Sequence, residues 1–229
     1  MENKLIPSVE KRIAAWADVS KKQQERKNKE QKTKTITISR EFGCEGFPLA
    51  LELKSLLDAQ TKEIWTIFDE LLIDKIQEDR QISKSLLKGF GEQSTFMDNL
   101  LSMLVPNWDT EEEAYRSIVE TIFAIAKEGN AIIVGRGGSV ITQSLSNCYH
   151  FRLIAPKDFR VQVTATRMKI SFDEAEKEIE LQQAKRDSFI NKFLKCNMND
   201  PSYYHALYNN KSCDINKIAK SILYTIGLF

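Results

Sequence analysis

The chain has few of the residues from which metal centres and disulfide frameworks are built. Its two histidines, His150 and His205, fall in no metal-ligand spacing, and its four cysteines, Cys44, Cys148, Cys196 and Cys213, are scattered with no CxxC pair. That argues against a zinc site, whose ligands come in closely spaced pairs, and against a disulfide-stapled fold. An excess of either charge is also missing. The 33 basic residues face 32 acidic ones, and the two signs are interleaved rather than gathered into a patch, so neither a nucleic-acid nor a membrane partner is expected. No apolar run approaches the ~20 residues that span a bilayer, and no apolar stretch follows the N-terminal basic residues as in a secretory leader. The expected location is cytoplasmic.

What remains is an ordinary globular composition, 42% apolar and 28% charged over 229 residues. A chain of this length fits one α/β domain that buries roughly 70% of its unfolded surface. The first 34 residues stand apart. Ile6, Val9, Ile13, Trp16 and Val19 recur at helical spacing and form one apolar stripe, after which comes the polar run "SKKQQERKNKEQKTK". The stripe predicts an amphipathic helix that docks on the body of the chain or joins two copies in a homodimer, the alternative being a loose tail; docking or self-association is favoured because a tryptophan is costly to leave in water. The polar run reads as a solvated helix end or linker.

From residue 35 to 229 the pattern is strand, turn, helix, repeated. "TITIS" alternates and is β-branched, "REFGCEGF" carries two glycines, and "PLALELKSLLDAQ" marks one helix face with Leu49, Leu53, Leu56 and Leu57. "EIWTIF" is a second strand, ending at Asp69, a candidate N-cap for "ELLIDKIQED". Residues 81–106 read as a helical insertion. A strong helix, "TEEEAYRSIVETIFAIAKEG", then feeds the buried strand and Gly-rich turn of "NAIIVGRGGSVI". "CYHFRLIA", the helix opened by Pro156, a long helix with Ser171 and Glu174 spaced as a capping box, a strand within "DPSYYHALYNN" and a closing helix complete the chain. The expected fold is α/β, a parallel five-stranded sheet with helices on both faces.

In such a sheet, ligands bind at the carboxyl ends of the strands, and the first strand ends in "SREFGCEG". A Gly-containing turn opening a helix offers unpaired N–H groups and a positive dipole end, which suit a phosphate. The Walker A residues are not there, however. Laid over G-x-x-x-x-G-K-[ST], the turn has Arg40 at the first glycine, Glu45 at the second, Gly46 at the lysine and Phe47 at the hydroxyl. On the residues alone, a phosphate loop and a plain strand-to-helix turn both remain open.

Taken together, "ITISREFGCEG", "IFDELLIDKI", "AIIVGRGGSVI", "FRLIAPKDFRV", "SFDEAEKEI" and "DPSYYHALYNN" resemble, in order and spacing, the cytidylate kinase-like family, relatives of the nucleoside monophosphate kinases. The resemblance covers about Thr35 to Phe229 and implies a P-loop NTPase-like fold. It also implies ATP as phosphoryl donor with Mg, a nucleotide or other small acceptor, and a first turn in which Ser39, Arg40, Glu41, Gly43, Cys44 and Gly46 hold the nucleotide. Within that turn Cys44 stands for the family's serine, Glu45 for a glycine and Phe47 for an arginine. By the same resemblance Asp69, Gly135, Arg136 and Asp200 bind the acceptor, while Arg136, Arg160, Arg167 and Arg186 surround the transferring phosphoryl group. Asn209 also matches.

Each of these has an alternative in the residues themselves. Arg136 suits ion pairing in its turn, the three later arginines suit a solvated helix face, Asp69 suits a cap and Asp200 a turn before Pro201. The implied activity is that of a nucleotide kinase. The other reading is a non-catalytic ligand-binding or self-associating protein on the same fold, favoured by Glu45 and Phe47. A carboxylate at the place of the polyphosphate would repel it by around 4 kcal/mol at about 4 Å, so Glu45→Gly is expected to strengthen triphosphate binding.

Overall fold

The computed structural model describes residues 8–15, 33–78 and 110–229. Ile6, Trp16, Val19 and the insertion expected at 81–106 lie outside the described residues. Five strands form one parallel sheet: β1 (Thr35–Arg40), β2 (Thr66–Phe68), β3 (Ala131–Val134), β4 (Cys148–Ile154) and β5 (Ala206–Asn209). Their order is β2-β3-β1-β4-β5, so the first strand is central. The helices are α1 (residues 9–15), α2 (Gly46–Thr61), α3 (Glu70–Glu78), α4 (Thr110–Glu128), α5 (Gly138–Ile141), α6 (Lys157–Met168), α7 (Phe172–Phe193) and α8 (Ile215–Thr225).

Strands β1 to β4 are largely buried, as their apolar and β-branched residues suggest, whereas the edge strand β5 alternates between half-buried and exposed residues. Alternate residues divide between two cores. Ile36, Ile38, Ile132, Val134, Phe151 and Leu153 meet α2 and α8 through Leu49, Leu53, Leu57, Ile218 and Ile222. Ala131 and Ile133 face α3, α4 and α7 through Ile73, Val119, Phe123 and Phe193. Burying one such aliphatic side chain contributes about 1.5–3 kcal/mol, so the two cores carry the fold.

Local signals set the helix ends. Asp69 Oδ1 accepts the Leu72 amide at 3.1 Å and caps α3. Ser171 and Glu174 form the capping box of α7. Gly129, at φ +86°, stops α4. Asp58 of α2 accepts the Trp65 amide at 2.7 Å, fixing the return into β2. The short α1 lies on the body of the same chain, where Val9 and Ile13 pack against the α3/α4 core. Among the described residues, no helix is long and apolar enough to cross a membrane.

Candidate functional site

β1 is the strand at which the sheet order switches direction, from β1 out to β2 and β3 and then back across to β4. Its carboxyl end is where an open α/β sheet leaves a crevice. The chain leaves Arg40, turns through residues 41–45 and enters α2 at Gly46. The turn is tied down from four sides. The Glu41 amide donates to the Leu153 carbonyl at 3.1 Å, and the Glu41 carboxylate accepts the Ala155 amide at 3.0 Å. Arg160 Nε donates to the Ala155 carbonyl at 3.0 Å, its Nη1 to the Phe42 carbonyl at 3.3 Å, and Nε lies 3.6 Å from Glu41. Gln183 of α7 accepts the Phe42 amide at 2.9 Å. At the far end, Asn210 accepts the Glu45 amide at 2.8 Å and donates to the Glu45 carboxylate at 3.2 Å.

Gly43 is required at its position. Its φ is +93°, and a Cβ would stand 2.7 Å from Arg160 Cβ and 2.9 Å from the Arg160 carbonyl oxygen. Only glycine permits that approach without strain.

Beside the turn lies a half-open cavity of about 200 Å³, lined among others by Arg40, Arg167, Arg186, Phe42, Asp69 and Glu70. The Phe42 ring is a platform for two of the arginines, with the Arg186 guanidinium carbon 4.9 Å and that of Arg167 5.9 Å from its centroid. Arg40 lines the same cavity from the end of β1. Its guanidinium packs against Gly135, where it fills the place a Cβ would take, and the φ of +86° there also favours glycine.

Burial and then the charge of Arg186 push the Arg40 pKa down to about 9, against the opposing pull of Glu70 and Asp69. Burial likewise lowers that of Arg186, with Glu70 opposing and Arg167 adding to the fall. The Arg186 Nη1 is buried with no hydrogen-bond partner. Among the described residues, neither Arg40 nor Arg167 nor Arg186 has a carboxylate within ion-pair distance. Three cations crowded beside a helix start, with Asp69 and Glu70 near but not at ion-pair distance, form a place for an anion, and the planar guanidinium matches phosphate oxygens best.

The other residues singled out from the sequence sit differently. Glu45 is turned to Asn210 and does not line the cavity, so the carboxylate expected to repel a polyphosphate is held outside its cradle. Phe47 does line it. Arg136, at φ +51°, gives Nη2 to both oxygens of Asp74 at 2.7 and 2.6 Å and to Glu70 at 3.1 Å. Asp69 faces the cavity with its carboxylate held by Arg12. Ser39 Oγ accepts from Arg152 Nη1 at 2.9 Å and from Tyr204 at 3.3 Å. Cys44 is buried, which pushes its thiol up to about 12. Asp200 is exposed and caps the 3-10 turn Pro201–Tyr203 by accepting the Ser202 amide. Asn209 accepts the amides of Lys211 and Ser212.

Four contributors escape a reading of the sequence. Phe42 and Glu70 gain their roles only from neighbours distant in the chain. Arg12 is a charge set within the apolar face of α1, and its partner Asp69 is 57 positions away. Arg152 carries a signal, a charge inside the apolar strand "FRLIA": it is 4% exposed and held by Ser39, Tyr204 and Asn199.

The profile of the cytidylate kinase-like family matches residues 35–212. The chain belongs to the cytidylate kinase-like family. Among curated relatives, a cytidylate kinase of Saccharolobus islandicus is 29% identical over 130 residues, 57% of this chain and 67% of that protein. A second from the same species is 30% identical over 125 residues, 55% and 64% of the two chains. The match thus spans about two thirds of these relatives. The crystal structure of an uncharacterized protein from Eubacterium ventriosum ATCC 27560 shares the fold, with a TM-score of 0.65 at 17% identity over 86% of this chain and 99% of that one. Family membership embraces the turn and its arginines but not α1, which precedes the matched region.

Proposed function

We propose that this member of the cytidylate kinase-like family is a nucleotide kinase that transfers a phosphoryl group from ATP to a nucleoside monophosphate or another small acceptor. The observation that carries the reading is the convergence of Arg40, Arg167 and Arg186, with no carboxylate of the described residues at ion-pair distance, on one cavity at the carboxyl end of the central strand. Phosphoryl transfer is catalysed by positioning and by charge placed around the transferring group, with little covalent work for the protein. Three guanidiniums in a partly dehydrated cavity suit that task without a Walker lysine. Cytidine monophosphate is the acceptor to try first, because the curated relatives are cytidylate kinases.

The phosphates of ATP would meet Arg186 Nη1, unpartnered among the described residues, and the Gly46 and Phe47 N–H groups of the first turn of α2, which the helix itself does not use. Magnesium would supply neutralisation of the phosphate oxygens. Ser39 and Glu41, the oxygen-bearing side chains at the start of the first turn, are engaged by Arg152 and by Ala155 with Arg160. On the cavity wall Glu70, its side chain 61% exposed, is the carboxylate not turned toward α1, and magnesium commonly needs only one or two alongside phosphate and water. In this arrangement Arg160 shapes the turn, and Arg136 orders α3 through Asp74 and Glu70. Arg40, Arg167 and Arg186 then hold the phosphates.

A second reading, a nucleotide binder without turnover, draws on Phe47, an apolar ring on the cavity wall where the family carries a cation. Thermal melts with ATP, with and without magnesium, followed by ADP release with a panel of nucleoside monophosphates, separate the two. A ligand at 100 times its dissociation constant stabilises by about 2.7 kcal/mol. ADP release dependent on one acceptor establishes the kinase, and stabilisation without release under every acceptor establishes the binder. Absence of any shift removes both.

A further inference from the structure

The helix α1 lies outside the family match, yet it reaches the wall of the ligand cavity. Arg12 Nη2 donates to Asp69 Oδ1 at 3.1 Å and to the Ile67 carbonyl at 2.8 Å, and Nη1 to Asp69 Oδ2 at 3.3 Å. Its guanidinium carbon stands 5.9 Å from the centroid of Phe47. Asp69 and Phe47 both line the cavity. The contact is well sheltered, with the Arg12 side chain 12% exposed and that of Asp69 18%. Val9 and Ile13, one turn of the helix apart and flanking Arg12, anchor α1 on the α3/α4 core.

We propose that Arg12 is a positioning residue of the anion cavity: it cancels the charge of Asp69 on the cavity wall and holds that carboxylate turned toward α1, making the N-terminal helix a working part of the site. The proposal rests on the reading of the cavity as a phosphate site. Asp69 is doubly bound, as cap of α3 through Oδ1 and as the partner of Arg12. The cap needs only an acceptor oxygen, whereas the charge on that oxygen is unwelcome beside a polyphosphate. A free carboxylate there would oppose the ligand that Arg40, Arg167 and Arg186 attract, and would do so in a partly buried place where water screens poorly. A two-handed guanidinium removes the charge without removing the cap. Phe47 closes the arrangement, its ring lying between the N-terminal helix and the cavity. The segment therefore couples to ligand through one ion pair.

The test is calorimetric titration of the full chain with inorganic tripolyphosphate at low salt. Arg12→Ala, or Arg12→Gln should the alanine variant melt below the assay temperature, is expected to weaken binding about tenfold, equivalent to about 1.4 kcal/mol. Adding Asp69→Asn restores affinity to within about threefold of the parent, because asparagine keeps the cap but carries no charge. A purely structural Arg12 predicts the opposite: removing its partner as well would leave the loss in place. Parent protein that binds tripolyphosphate, with Arg12→Ala and Arg12→Gln equal to it, overturns the proposal alone, as does loss without rescue. Parent protein that binds no tripolyphosphate overturns the phosphate reading and this proposal with it.

Discussion

Arg40 should cost this protein stability that its ligand returns. Its guanidinium is buried against Gly135 and faces Arg186 and Arg167 with no carboxylate of the described residues at ion-pair distance, and its pKa falls to about 9. A displacement of that size corresponds to about 5 kcal/mol of disfavoured charge, an upper bound because the cavity is open to water on one side. With effective screening of a half-open site, about 2 kcal/mol is the fitting magnitude. The sign follows from linkage. A cation whose pKa is lower folded than unfolded opposes folding at every pH below about 9, and the opposition fades only as the pH climbs past that value.

Arg40→Met keeps the stem and removes the charge. In anion-free buffer at pH 7 the variant should therefore be more stable than the parent by about 2 kcal/mol, a rise of about 4–8 °C for a chain of this size. At pH 10 the difference should shrink. Adding inorganic phosphate or ATP should raise the melting temperature of the parent and leave that of Arg40→Met nearly unmoved. Differential scanning calorimetry in zwitterionic buffer, with and without phosphate, reads both effects. An Arg40→Met protein that melts below the parent without anion would show that Arg40 already has its counter-charge, and the argument for the phosphate site would lose its main support.

Other outcomes follow from the same geometry. Glu45→Gly, expected from sequence to strengthen triphosphate binding, should leave the dissociation constant within about twofold and instead cost about 1 kcal/mol of stability in urea titration, since Glu45 bonds Asn210 rather than facing the cavity. Gly43→Ala should destabilise by about 2–4 kcal/mol in the same assay, because its Cβ meets Arg160 at a positive φ. Cys44 and Cys148, both buried and pushed up to about 12, should resist iodoacetamide at pH 8 in the folded protein and alkylate fully in denaturant, read by mass spectrometry.

Much of the scaffold is legible in the sequence because its signals are local. The β-branched run of β1, the Ser171–Glu174 box and Asp69 before "ELLI" each specify a structure that forms among residues a few positions apart. The five strands follow from such signals, and their parallel arrangement from the helices between them. The site is less legible. Arg160 and Arg167 share one helix and seven-residue spacing, yet one pins the turn through the Phe42 and Ala155 carbonyls while the other borders the cavity. Nothing in the spacing separates those fates, because the turn and the cavity that the two arginines meet are built by other segments of the chain. Arg136, apt by type for a phosphate, meets Asp74 and Glu70, which α3 brings to it from over 60 positions away.

The sequence by itself determined the order of strands and helices, the place of the Gly-containing turn at the end of β1, and the absence of a Walker lysine from it. These depend on periodicity and on residue identity, which the chain carries in one dimension. Only the tertiary structure decided that Glu45 turns to Asn210 and that Arg12 reaches Asp69. It also decided that Arg40, Arg167 and Arg186, from a strand end and two helices, share one cavity. The direction in which a side chain points, and the charge it then meets, is set by packing between segments far apart in sequence, and a charge has no role until its neighbours are in place.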